Sequence, residues 1–139
     1  MSKEIIATDE APAAVGPYSQ GVRLGDLVLT AGQLGIVPGS GDFAGPDITS
    51  QTQQALENLE AVLEAGGSCL EHVIKVTVFL QDIEEFSQMN EVYAEFFSAG
   101  PPARSAVQVA ALPLGGRVEI EAVAEACGCG EDDEESHCR

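Results

Sequence analysis

A chain of 139 residues with 45% hydrophobic and 21% charged content suits one globular domain built round a single core. It has no stretch of about 18 apolar residues, which excludes a membrane-spanning helix. Its formal charge of −17 repels phosphate backbones and disfavours nucleic acid as a partner.

The tail from Gly128 onward holds five acids against one arginine, so a charge of −13 belongs to the body. Acids spread over a body whose only lysines are Lys3 and Lys75 resemble a surface adapted to high salt. The start, "MSKEIIATDEAP", lacks an apolar signal core and a small-residue cleavage site, so a cytoplasmic protein is expected. Residues 1–126 are expected to form the domain, and 127–139 an acidic, cysteine-containing, disordered tail.

Residues 20–36 read as two short strands joined at Leu24-Gly25-Asp26, followed by a Gly/Pro-rich loop. Thr49 to Ala65 carries Ala55, Leu56, Leu59, Val62 and Leu63 at helical spacing. Asp47, Thr49 or Ser50 can cap its start, and Gly66-Gly67 ends it. "HVIKVTVFLQD" predicts a strand with apolar residues on both faces, so both faces should be covered. Asp82 can cap a second helix with the stripe Phe86, Met89, Tyr93, Phe96 and Phe97, closed by Ala99-Gly100-Pro101. Two more strands, Arg104 to Ala111 and Arg117 to Glu125, follow. The order predicts an α+β layer, a mixed sheet with two helices on one face. Its strands are too apolar for the other face to meet water, and covering that face by self-association predicts a homo-oligomer.

The four cysteines, at 69, 127, 129 and 138, read as thiols. Cys127-Gly-Cys129 with His137-Cys138 offers three sulfurs and an imidazole, but the spacing matches no standard zinc module, and no metal is expected. His72 reads as an ordinary surface or boundary residue. Phosphate loops, GxGxxG and GxSxG elbows are absent from the sequence, so any catalysis falls to Arg, Glu, Tyr, Asn and backbone groups.

Arg104 heads an extended, otherwise apolar run, and its planar fork suits a small carboxylate; an internal salt bridge is the alternative. Glu119 and Glu121 share one strand face, either as carboxylates poised to activate water or as solvated partners of arginines. Tyr18 follows the rigid Gly16-Pro17 turn, to present a phenol or simply to pack. Asn90 lies near the buried stripe of the second helix, as a satisfied boundary group or one reaching into a site.

As a set these residues resemble the RidA/YjgF family of reactive-intermediate deaminases. "PPARSAVQVAALPLGGRVEIEAVA" looks like its signature. The likeness extends through "APAAVGPYSQGVRLGDLVLTAGQLGI", "QTQQALENLEAVLEAGG" and "VIKVTVFLQDIEEFSQMNEVYAEFF", covering roughly residues 3 to 125. The resemblance implies chorismate-mutase-like subunits in a homotrimer with a barrel-like core and active sites between subunits. It implies hydrolysis of small imino and enamino acids, such as 2-aminoacrylate and 2-iminobutyrate, to 2-oxo acids and ammonia, with no cofactor. On this likeness Arg104 matches the carboxylate-pairing arginine and Glu119 the acid that positions water. Tyr18 and Asn90 match cleft-lining side chains, and Gly32 and Ala106 fall where backbone groups hold substrate. Two positions depart from the family pattern. Ala106 stands where cysteine is common. Ala31 stands where many relatives have serine, a lost hydrogen bond of about 0.5–1.5 kcal/mol that would shift substrate preference. A trimer that binds small carboxylates without turnover is the alternative, and a ribonuclease is disfavoured by the charge.

Overall fold

The computed structural model describes residues 2–127; the acidic tail with Cys129, His137 and Cys138 lies outside them. Strand β1 (Glu4–Ile6) pairs antiparallel with β2 (Gly21–Leu24), which turns at Gly25-Asp26 into β3 (Leu27–Thr30). Gly25 carries the positive φ of that two-residue turn, 60°, which lets it match the twist of the flanking strands. Two elements escape the sequence pattern because each is too short to show a period: β1, and β4 (Gln33–Leu34).

Helix α1 (Ile48–Ala65) begins where the Asp47 carboxylate accepts the Ser50 backbone N–H at 2.9 Å. It ends at Gly66, with Gly67 at φ 87°, a conformation that costs glycine little. Strand β5 (Val73–Leu80) leads to a short 3₁₀ turn, Ile83–Glu85, capped by Asp82, before α2 (Phe86–Phe96). Strands β6 (Ala103–Gln108) and β7 (Val118–Glu125) complete the sheet. Asp82 thus caps the 3₁₀ turn that introduces the helix, not the helix itself.

The strand order is β1-β2-β3-β7-β5-β6, with β4 also on β7. All pairs are antiparallel except β5–β6, the pair that α2 connects. One sheet face carries Val76, Val78, Val118, Ile120 and Ala124, all fully buried. They join Leu56, Leu59 and Leu63 of α1 and Met89 and Tyr93 of α2 in a single core. The expected α+β layer with both helices on one face is therefore the observed fold. The other face alternates with the first: Phe79, Glu121 and Val123 are half-buried, while Leu27, Leu29 and Val107 are exposed. Within one chain β5 is covered on one face only.

Among the described residues, no helix is long and apolar enough to cross a membrane. Cys69, expected as a thiol, is disulfide-bonded.

Candidate active site

Residues directly opposite on paired strands share a face, and this decides where each candidate side chain points. Arg104 on β6 lies opposite Val76 on β5, which is fully buried under the helices. Arg104 therefore belongs to the helix-covered face, at the sheet's edge strand. Its Nη1 donates to Asn90 Oδ1 at 2.7 Å. Its guanidinium carbon sits 4.6 Å from the ring centre of Tyr93 and 5.3 Å from that of Phe86, within cation–π range. Phe86, Asn90 and Tyr93 follow i, i+4, i+7 spacing on α2, so one helix face builds the whole seat.

Among the described residues Arg104 makes no salt bridge. Among the described residues the ion pair is Arg117 with Glu85, at 2.6 Å. Arg104 instead donates an N–H to a neutral amide, and a guanidinium has five N–H donors in all. Tyr93 is 5% exposed, and its hydroxyl faces Arg104. Burial pushes the phenol's pKa up, against the opposing pull of Arg104, so it stays a neutral donor. Tyr93 and Phe86 were legible only as core stripe. Their spacing with Asn90 was the available signal that they line the arginine's seat. Ala106 lies two residues beyond Arg104, half-buried on the same face, opposite Val78. Because β6 ends the sheet, its outer backbone groups have no strand partner there.

Glu119 lies opposite Phe79 and alternates with the fully buried Val118 and Ile120, so it occupies the other, open face. Glu121 shares that face, as the two-residue spacing predicted. Burial first, and then the charge of Glu121, raises the Glu119 pKa above the ordinary carboxylate value. The carboxylate rests against the backbone of Gly32, where an added Cβ would stand 2.5 Å from Glu119 Oε2.

A bulge makes that contact. Leu29 pairs with Val123 and Gln33 with Ile120, so four steps along one strand match three along β7, and an extra residue falls in Thr30–Gly32. The interrupted ladder is patched by Thr30 Oγ1, which accepts the Ala122 N–H at 3.1 Å. Ala31 donates its N–H to Gln20 O at 2.8 Å. Buried Gln20 in turn donates to the carbonyls of Thr8, Ala11 and Pro12 and accepts the Thr8 N–H, fixing the loop that leads to Tyr18. Tyr18 is 51% exposed and lines a concavity of about 390 Å³ with Ile5, Thr8 and Ser19. Neither Arg104 nor Glu119 lines it.

Among the described residues the candidates thus form two clusters rather than one site: Arg104 with Asn90, and Glu119 with Gly32. Two strand spacings and a three-residue offset separate Arg104 from Glu119, roughly 14 Å between Cα atoms, and the sheet lies between their side chains.

The sequence profile of the family described as Endoribonuclease L-PSP matches residues 8–126. A RutC family protein of Pyrococcus horikoshii is 51% identical over 122 residues, 88% of this chain and 97% of that one. The 2-iminobutanoate/2-iminopropanoate deaminase of Bos taurus is 48% identical over 124 residues, 89% of this chain and 90% of that one. The crystal structure of E. coli TdcF with bound serine superposes with a TM-score of 0.84 at 45% identity, covering 88% of this chain and 98% of that one. The chain therefore belongs to the L-PSP family, the RidA/YjgF family of the sequence reading.

Proposed function

We propose that three copies of this chain assemble through the open sheet face and hydrolyse small 2-imino and 2-enamino acids to 2-oxo acids and ammonia. The observation that carries this reading is Arg104, a guanidinium held between Asn90, Tyr93 and Phe86 with no carboxylate partner among the described residues. In a body of charge −13, an arginine left without an acid is best explained by an acid that arrives as ligand. The bovine deaminase and the serine-bound E. coli relative fit a substrate of amino-acid size.

Assembly supplies what one chain lacks. Leu27, Leu29 and Val107 are 43%, 38% and 44% exposed on the open face, and covering each contributes about 1 kcal/mol. A neighbouring copy laid on that face brings its own edge strand, with Arg104, towards Glu119 of the first.

The chemistry then follows from the groups present. An enamine tautomerises to its imine, whose carbon is already electrophilic, so no cofactor is called for. Arg104 neutralises and orients the carboxylate, which turns a collision into a fixed approach. Glu119, its pKa raised, is a better base than an ordinary carboxylate. It takes a proton from water as the oxygen adds to the imine carbon and returns it to the nitrogen, giving a carbinolamine. It then carries the carbinolamine's hydroxyl proton to that nitrogen as the C–N bond breaks, releasing ammonia and leaving the 2-oxo acid. Binding without turnover would use Arg104 equally, but would leave the half-buried Glu119–Glu121 pair without a task. The −13 body stands against an RNA substrate.

The test is a coupled assay that generates 2-aminoacrylate and 2-iminobutyrate in place. Wild type should accelerate formation of the 2-oxo acid, and Arg104→Ala should lose about 100-fold or more in kcat/KM while keeping its oligomeric state. Unchanged rates in Arg104→Ala would remove the arginine from the reaction. No acceleration by wild type would leave a carboxylate-binding protein.

A further inference from the structure

At the far end of β7 from Glu119 a second constellation forms, remote from the groups just described. Cys69 is buried, His72 and Cys127 are half-buried, and the ligand atoms of all three lie within 4.8 Å of one another. Cys127 follows Glu119 by eight residues, about 26 Å along an extended chain.

Local backbone structure brings the three together. Cys69 precedes a 3₁₀ turn, Leu70–His72, and the His72 N–H donates to Cys69 O at 3.1 Å. The turn folds the chain back, so His72 comes near the extended Cys69 that precedes it. The chain leaving β7 is stitched to the preceding segment. Ser68 Oγ donates to Glu125 O at 2.7 Å, and the Cys127 N–H donates to Gly67 O at 2.8 Å. These bonds fix Cys127 beside Cys69 although 57 residues separate them in sequence.

We propose that the reduced protein binds one zinc-class divalent cation per chain through Cys69 Sγ, Cys127 Sγ and a ring nitrogen of His72. Two thiolates and an imidazole are the donor set that zinc prefers. Zinc–ligand lengths of about 2.0–2.3 Å place tetrahedral ligands about 3.5–3.8 Å apart, so the observed spread closes by small side-chain rotations. Three protein ligands leave one position for water. The body charge of −13 favours a cation and its release of thiol protons. Because Cys69 is disulfide-bonded in this structure, the ion belongs to the reduced state. This site differs from the tail arrangement considered from sequence, since Cys69 and His72 come from the body.

The test uses the full-length chain, freed of metal, reduced with a phosphine and titrated with Co²⁺. The expected result is one ion per chain, with thiolate-to-cobalt charge-transfer bands and the strong visible bands of a tetrahedral site, displaced by Zn²⁺. Cys69→Ser and His72→Gln should each weaken binding by at least about 100-fold, since losing even an outer partner of a metal ligand costs 10–100-fold. His72 is half-buried, so its variant is expected to fold even if the Cys69 variant does not. The oxidised protein should bind none. Absence of stoichiometric binding overturns the site, as does equal binding by the oxidised chain. Wild-type binding in Cys69→Ser and His72→Gln, lost only when Cys129, His137 and Cys138 are replaced, also overturns it.

Discussion

Arg104 on β6 and Glu119 on β7 face away from each other across the sheet they share. The pairing shows it: Arg104 is opposite the buried Val76, while Glu119 is opposite Phe79 on the open side. No rotamer change within one chain brings an arginine through a packed layer. In the proposed reaction, which uses both groups, they come from two copies.

Mixing two inactive proteins tests this directly. Arg104→Ala and Glu119→Gln should each be inactive alone, and each retains the group that the other lacks. Coexpressed in equal amounts, they should regain about one working site in four, because neighbours in a cyclic trimer combine at random. Purified mixed oligomers with no regained activity would place both groups in the same subunit's site, against the geometry.

The open face should be separable from the fold. Val107→Asp adds a charge to an exposed position on that face and removes nothing from the core. Sedimentation should show dissociation, far-ultraviolet circular dichroism should stay native-like, and deaminase activity should fall with assembly. A trimeric, active Val107→Asp protein would move the interface elsewhere.

Gly32 is held to glycine by the carboxylate it touches. In Gly32→Ala the new Cβ would sit 2.5 Å from Glu119 Oε2, and the flexible acid must swing away. Displacing a catalytic group by about 1 Å can cost about 100-fold. The loss should fall on kcat with KM little changed, because Arg104 is untouched. A variant with unaltered kcat would show that the Glu119 position is not critical.

On the proposed mechanism, the raised pKa of Glu119 sets an acid limb. The base must be ionised, so kcat/KM should fall as pH drops through a value above the ordinary 4.5 for glutamate. Glu121 contributes to that shift, so Glu121→Gln should move the limb to lower pH. Stability runs the opposite way. A carboxylate whose folded pKa is raised favours the fold when protonated and disfavours it as pH rises through that value. Glu119→Gln should therefore raise Tm at neutral pH and leave it unchanged in acid. An acid limb unmoved by Glu121→Gln would show that the two charges do not couple.

The elements long enough to show a period were legible before any coordinates. The stripe from Ala55 to Leu63, the Gly25 turn, the Asp47 cap and the alternation of β7 follow from local chemistry, and the observed elements match them. β1 and β4 were not, because three and two residues carry no periodicity. Their pairing depends on neighbours far along the chain. Arg104, Asn90, Glu119 and Gly32 were each singled out, and the structure does pair them as Arg104–Asn90 and Glu119–Gly32. Tyr93 was taken for core because a buried aromatic at helical spacing usually is.

By itself, then, the sequence determined the layer type and the two helices, and it singled out candidate site residues, since periodicity, capping and charge scarcity act over a few residues. Tertiary structure alone decided that Arg104 and Glu119 look out of opposite faces, that a one-residue bulge presses Gly32 against Glu119, and that Cys69, His72 and Cys127 meet. The physical reason is common to all three. Each depends on register between strands or segments distant in sequence, and a one-residue slip in register reverses the face of every side chain that follows.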